Sequence, residues 1–151
     1  MITVILVRHA DIDLPSRSSD PPLNAAGRRR AEMFAHVIGP AGATSLFTST
    51  FLRTVQTVQP LATQAGLVPQ PVPTPDEWAQ QVVAGALGEV VVVAGHSNTV
   101  PEMLEALGVP PPAPLIGERE FDNLFVAAVA SPGNAHVVHL RYGKPSPKLI
   151  T

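Results

Sequence analysis

The sequence of 151 residues contains no cysteine, which excludes disulfides, thiolate metal sites and cysteine nucleophiles. Charged residues make up only 15% of the chain, below the usual quarter. The formal net charge of −2 gives no electrostatic footprint for nucleic acid. No apolar run reaches transmembrane length. These absences predict a protein that binds neither nucleic acid nor a membrane.

Hydrophobic residues are what the chain has most of, at 45%. That share and the length suit one well-covered domain over residues 1–151, and hardly two. The N-terminus enters the first predicted strand directly, without a basic segment or cleavage site, so we expect a cytoplasmic protein. We expect a monomer or a homodimer, since no apolar stripe specifies an interface.

One positively charged pair stands where a buried strand must end. The run from Ile2 to Val7 is rich in β-branched residues, which predicts a strand covered on both faces and therefore a parallel sheet. Arg8 and His9 follow it directly. Ligands of open α/β sheets bind beyond the carboxyl ends of the strands. The sequence therefore places Arg8 and His9 at the functional edge.

Two further strand ends carry similar residues. The short strand predicted at 45–48 leads into a helix with Thr50 as its expected N-cap, which puts Arg53 in the first turn. A cation is unfavourable there unless an anion binds beside it. Val90 to Ala94 gives the strongest strand signal, and Gly95 and His96 follow it. Arginine or histidine residues therefore follow the ends of three predicted strands.

The remaining periodicity predicts scaffold. Helices are predicted at 24–38, 54–65 and 76–87, and a hairpin of two strands at 124–130 and 135–142. Pro60 is expected to kink or divide its helix, and the tail from Gly143 to Thr151 to be loosely ordered. The predicted fold is a three-layer α/β/α sandwich. Its central sheet is mostly parallel, with an antiparallel strand near the C-terminus.

Four motifs, taken together, resemble the successive motifs of the histidine phosphatase superfamily, also called phosphoglycerate mutase-like. In the family's order they are Arg8-His9-Ala10, Leu23-Asn24-Ala25-Ala26-Gly27, Thr48-Ser49-Thr50-Phe51-Leu52-Arg53-Thr54 with Gln56-Thr57, and Gly95-His96-Ser97. They cover most of the chain up to about Leu107. The segment 95–101, with Phe121-Asp122-Asn123-Leu124-Phe125 later, resembles a small bacterial branch that lacks the cap insertions of larger members.

The resemblance implies that His9 accepts the phosphoryl group and that water hydrolyses the phosphohistidine, with Arg8, Arg53 and His96 completing the phosphate pocket. The chemistry agrees, because a neutral imidazole is a competent nucleophile. Two guanidinium groups supply forked donors to the equatorial oxygens, and His96, if protonated, adds a third cation. No metal or other cofactor is then needed. The expected partner is a phosphorylated small molecule or a phosphoprotein, cleaved as a phosphomonoester or phosphoramidate.

The proton donor for the leaving group is open at this point. The family's usual spacing points to Asp76 and Glu77, with Glu77 preferred, whereas Asp11 lies two residues beyond His9. Thr74 to Glu77 also suits a capping box, and Asp11 suits a loop turn. A site with no dedicated acid would suit a good leaving group such as that of a phosphoramidate.

Three residues are candidates for contacts to the substrate: Asp11, Asp76 and Asn98. Asn98 resembles the family's polar residue shortly after the second histidine, and it equally suits the N-cap of the following helix. The segments 11–22, 66–74 and 110–123 are expected to surround the pocket. Their composition is permissive for sugar phosphates, nucleotides or phosphohistidine proteins.

Other classes of function remain open from the sequence. A non-catalytic module would keep the same anion pocket to bind a phosphorylated ligand. A phosphoglycerate mutase-type phosphotransferase is less favoured, because re-transfer requires a more enclosed pocket than so short a chain provides. A metal-dependent hydrolase using His9, His96 and nearby carboxylates would have poor ligand spacing.

Overall fold

The computed structural model describes residues 1–148; the end of the predicted loose tail, 149–151, lies outside them. The strands are β1 (Ile2–Arg8), β2 (Ser45–Thr48), β3 (Gln70–Pro71), β4 (Val90–Gly95), β5 (Asn123–Ser131) and β6 (Asn134–Arg141). Within the described range they form one sheet in the order β3-β2-β4-β1-β5-β6. Strands β1 to β4 are parallel, whereas β5 runs antiparallel to β1 and pairs with β6 as a hairpin. The mostly parallel sheet and the hairpin are confirmed.

Four α-helices of residues 1–148 cover the sheet: α1 (Ala25–Ile38), α2 (Leu52–Ala65), α3 (Pro75–Val83) and α4 (Thr99–Ala106). Alternate side chains of β1 enter different cores because successive strand residues face opposite ways. Val4 and Leu6 pack in the cluster that includes Trp78 of α3, and Ile5 and Val7 in the cluster that includes Phe34 of α1. The three-layer arrangement is thereby confirmed. None of the helices within residues 1–148 has the length and apolar character needed to cross a bilayer.

The strand register brings the predicted strand ends together. Arg8 at the end of β1 pairs with Gly95 at the end of β4, and Thr48 at the end of β2 pairs with Ala94 of β4. The backbone N–H of His9 extends this pairing by donating to the Gly95 carbonyl at 2.8 Å. Three carboxyl ends therefore meet at one edge, as the sequence predicted for a parallel sheet.

The start of α2 differs from the prediction. Phe51, not Thr50, occupies the N-cap position, and it makes no side-chain capping bond. The expected Thr50 cap was wrong because Asp20, from a distant loop, takes that role: its Oδ1 accepts the Leu52 N–H at 2.9 Å. Pro60 does not divide the helix, which runs through it.

The segment 143–148 is anchored, which corrects the expectation of a loose tail there. Arg30 Nη2 donates to the Lys144 carbonyl at 2.8 Å. The N–H of Ser146 donates to Asp122 Oδ2 at 3.3 Å, and Lys148 Nζ lies 3.0 Å from the same oxygen. These contacts hold the segment against α1 and the start of β5.

Candidate active site

A cavity of about 570 Å³ opens at the edge where β1, β2 and β4 end. Five of the residues singled out in the sequence line it: Arg8, His9, Arg53, His96 and Asn98. They are widely separated along the chain, and the fold brings them to one place.

His9 is fixed at the cavity in a single protonation form. The ring Nδ1 lies 2.8 Å from the carbonyl oxygen of Ala10, so Nδ1 carries the proton and donates it. Burial, with the charge of Arg8 adding to it, lowers the pKa of His9 to about 3. The imidazole is therefore neutral at pH 7, and its lone pair is on Nε2.

Arg8 is buried and held by main-chain oxygens. Its Nη1 donates to the carbonyls of Gly117 at 3.1 Å and Glu120 at 2.9 Å, and its guanidinium lies 4.4 Å from the centre of the Phe121 ring. Burial lowers the pKa of Arg8 to about 10, so the group stays charged at pH 7. Its Nε is buried with no hydrogen-bond partner among the described residues.

Arg53 lies in the first turn of α2, where the sequence placed it. Its guanidinium lies 4.5 Å from the centre of the Phe51 ring, and its buried Nη1 has no partner within residues 1–148. Thr57 Oγ1 donates to the Arg53 carbonyl at 2.7 Å and accepts the N–H of Ala10 at 2.8 Å. This threonine ties the segment after His9 to α2.

His96 faces His9, with their ring centres 5.5 Å apart. Its Nε2 lies 2.8 Å from Ser49 Oγ, which in turn lies 2.8 Å from Thr54 Oγ1. Burial, with the charges of Arg53 and Arg8 adding to it, lowers the pKa of His96 to about 4. The ring is therefore neutral in these surroundings at pH 7, and it would add a third cation only if it were protonated.

Asn98 lines the cavity and is exposed. It occupies the N-cap position of α4 but makes no side-chain capping bond. Thr99 Oγ1 instead accepts the N–H of His96 at 2.8 Å. The amide of Asn98 is therefore available to the cavity.

Asp11, Asp76 and Glu77 do not line this cavity. Asp11 Oδ1 forms an ion pair of 2.6 Å with Nε of the buried Arg30. Asp76 and Glu77 are exposed in the first turn of α3, and the N–H of Glu77 donates to Thr74 Oγ1 at 3.2 Å, as one half of the expected capping box.

Glu118 is the carboxylate that lines the cavity within the described part of the chain. The sequence pointed only to its surroundings, by placing the segment 110–123 near the pocket. Its charge acts on Arg8, whose pKa it raises against the larger effect of burial. No group of three or more His, Asp or Glu side chains in residues 1–148 is placed to hold a metal ion.

The arrangement suits a tetrahedral anion. Two charged guanidinium groups each bury a nitrogen that has no partner within residues 1–148, and buried donors of this kind almost always have an acceptor. The same cavity is lined by the neutral imidazole of His9, whose lone pair is on Nε2. Such a site can bind a phosphoryl group and attack its phosphorus.

Several solved structures share this fold. The protein histidine phosphatase SixA, complexed with tungstate, matches with a TM-score of 0.76 and 19% identity over 93% of this chain and 97% of that one. Mycobacterial glucosyl-3-phosphoglycerate phosphatase, in complex with inorganic phosphate, matches with a TM-score of 0.69 and 15% identity over 91% of this chain and 96% of that one. SixA from Agrobacterium tumefaciens matches with a TM-score of 0.65 and 22% identity over 94% of this chain and 99% of that one. Comparison with curated proteins gives no match.

The sequence itself carries the family assignment. The family model of the histidine phosphatase superfamily (branch 1) matches residues 4–90, which is more than half of the chain. The match includes Arg8, His9 and Arg53, and it ends before His96. The chain belongs to the histidine phosphatase superfamily, branch 1.

Proposed function

We propose that this protein is a phosphatase that acts through a phosphohistidine on His9. Its substrate is a phosphomonoester or a phosphoramidate, on a small molecule or a phosphoprotein. One observation carries the proposal. His9, with its lone pair on Nε2, lines the same cavity as Arg8 and Arg53, and each arginine has a buried nitrogen with no partner among the described residues. Two solved relatives that are named phosphatases also hold tetrahedral oxyanions, tungstate and inorganic phosphate.

The reaction has two displacements at phosphorus. In the first, the Nε2 lone pair of His9 forms a P–N bond, and the bond to the leaving atom breaks with its electron pair going to that atom. The Ala10 carbonyl, 2.8 Å from Nδ1, stabilises the positive charge that develops on the ring. In the second, water attacks phosphorus, the P–N bond breaks, and Nε2 recovers its lone pair as inorganic phosphate leaves.

The two arginines supply what phosphoryl transfer mainly requires, which is positioning and stabilisation of charge on the equatorial oxygens. Arg8 is held in place by two carbonyls, so its remaining N–H groups are fixed in direction. Arg53 presents its unpaired nitrogen from the first turn of α2. His96 is oriented through Nε2 by Ser49, and Asn98 adds an amide.

A leaving group that departs without help from the three acidic residues proposed from the sequence suits this cavity best. Asp11, Asp76 and Glu77 lie outside the cavity lining, and Asp11 is engaged by Arg30. Aryl phosphates and phosphoramidates have leaving groups of this kind. They are the first substrates to test.

Hydrolysis of phenyl phosphate tests the proposal directly. We expect turnover by the native protein with and without chelator, and a loss of about 10³-fold or more for His9→Ala. The matched control is His36→Ala, which removes an exposed histidine of α1 outside the cavity. Acid-labile phosphate bound to the native protein, and missing from His9→Ala, would identify the intermediate.

Turnover that persists in His9→Ala would remove the nucleophile from the proposal. Activity lost in chelator and restored by a divalent cation would favour metal-dependent hydrolysis instead. A native protein that binds phosphate but hydrolyses neither an aryl phosphate nor a phosphoramidate would be a binding module.

A further inference from the structure

The cavity is much larger than a phosphoryl group, and few of the side chains that line it are charged. Two cations line it within the described residues, Arg8 and Arg53, and one anion, Glu118. Both arginines face the phosphoryl group in the proposed reaction. The rest of the lining is neutral and consists of apolar, hydroxyl, amide and imidazole side chains.

Two further arginines are near the cavity but do not line it. Arg119 is exposed beside Glu118 in sequence but does not line the cavity. Arg17 lines an adjoining hollow between its own loop and the start of α1, which shares Ser16, Ser18 and Pro21 with the cavity. A second negative group on a substrate would therefore find no cation of its own among the cavity residues, and the charge of Glu118 would repel it.

We infer that Glu118 selects for substrates whose phosphate is carried on a neutral or cationic group, and against those with a second anion near the phosphate. This inference rests on the proposed function and adds the class of substrate to it. Alkylammonium-bearing phosphate esters are favoured, while phosphorylated carboxylic acids and bisphosphates are disfavoured. Phe51, which lines the same cavity and is 40% exposed, offers an aromatic face to the organic part.

The size of the effect follows from exposure. Glu118 is exposed, and an exposed ion pair contributes about 0.2 to 1 kcal/mol, or up to about fivefold in binding. Attraction of a cationic substrate and repulsion of an anionic one add to each other. We expect the two to differ by about tenfold in kcat/KM at low ionic strength and by less at high salt.

Three aryl phosphates that differ mainly in the charge of their far end provide the test: the phosphate esters of tyramine, tyrosol and para-hydroxyphenylacetate. Each has a phenolate leaving group, and the ends are cationic, neutral and anionic. We expect kcat/KM to fall in that order for the native protein. In Glu118→Gln the difference in kcat/KM between the tyramine and para-hydroxyphenylacetate esters shrinks to about twofold.

The matched control is Glu105→Gln, which removes one exposed carboxylate of α4 outside the cavity and should leave the order intact. The inference is overturned if the native protein has the same kcat/KM for the anionic and the cationic ester. It is also overturned if Glu118→Gln lowers kcat/KM equally for all three esters, as loss of a proton donor or of a partner for Arg8 would do. If no ester is hydrolysed, the proposed function fails separately. Calorimetric binding of the three esters then still measures the selectivity.

Discussion

Asp11 shows how one residue can suit catalysis by position and yet be committed to structure. It lies two residues after His9, but its carboxylate pairs with Arg30, whose side chain is only 4% exposed. Arg30 also donates to the carbonyls of Tyr142 and Lys144. A buried guanidinium needs this many partners because its desolvation is costly. The Asp11 carboxylate therefore stabilises the junction of α1 with the C-terminal segment.

The Asp11→Asn variant separates the two roles. We expect the free energy of unfolding to fall by about 2–3 kcal/mol, since Arg30 is left buried with one charge partner fewer. The kcat/KM for phenyl phosphate should stay within about threefold of the native value, because Asp11 does not line the cavity. Denaturant unfolding and steady-state kinetics measure the two effects.

Asp76→Asn is the control for both measurements, because it changes an exposed carboxylate at the first turn of α3. It should alter the free energy of unfolding by less than about 1 kcal/mol. If Asp11→Asn instead abolished hydrolysis while unfolding at the same denaturant concentration as the native protein, Asp11 would be the proton donor that the sequence also suggested.

At the scale of elements, the docking of α1 positions the segment that follows the nucleophile. Gly27 in the first turn of α1 packs directly on the main chain of Asp11, and a Cβ at Gly27 would overlap those backbone atoms. The N–H of Asn24, which caps α1, donates to the Asp11 carbonyl at 3.0 Å. The close approach requires glycine and ties α1 to the residues just after His9.

The Gly27→Ala substitution tests whether this close approach is needed. Alanine favours a helix interior over glycine by about 1 kcal/mol, yet we expect the variant to lose about 2–3 kcal/mol of stability, because the added methyl group must displace the backbone at Asp11. The displacement should also lower kcat for phenyl phosphate. Thermal unfolding and kinetics measure both, and Ala26→Gly, which costs about 1 kcal/mol by propensity alone, is the control. A Gly27→Ala variant as stable and active as the native protein would show that α1 does not need this close approach.

Elements whose signals are local could be predicted from the sequence. The β-branched runs of β1 and β4 specify buried parallel strands. Because parallel strands end at one edge of a sheet, the sequence alone places His9 and His96 near each other. The helix predicted at 24–38 is α1, which begins at Ala25 because Asn24 is its N-cap.

Features that depend on distant contacts could not be predicted. The cap of α2 comes from Asp20, 32 residues before Leu52. No pattern in the sequence around Leu52 predicts this contact. Glu118 enters the cavity because residues 117–120 fold around the Arg8 guanidinium. Arg30 and Asp11 meet only when α1 docks. The neutral state of the histidines likewise follows from burial, which appears only in the folded chain.

At the scale of the whole molecule, the site imposes a pH dependence on folding. In the unfolded chain His9 and His96 have pKa values near 6.5, whereas burial lowers them to about 3 and about 4 in the fold. As the pH falls below 6.5, the unfolded state takes up protons that the folded state does not. Stability is therefore complete above about pH 6.5 and is lost as the pH falls toward the folded pKa values.

The unfolding free energy should accordingly fall between pH 7 and pH 5 by about 2 kcal/mol through His9 alone. A His9→Asn variant, which has no titrating ring at that position, should lose about 2 kcal/mol less over the same interval. Urea unfolding at the two pH values measures the difference, and His36→Asn is the control, because it replaces an exposed histidine outside the cavity. Sulfate, which stays doubly charged across this range, should offset part of the loss in the native protein, because an anion between the two arginines favours protonated imidazoles. If His9→Asn and the native protein lost equal stability, the ring would titrate in the fold as it does in the unfolded chain, and burial would not be what lowers the pKa of His9.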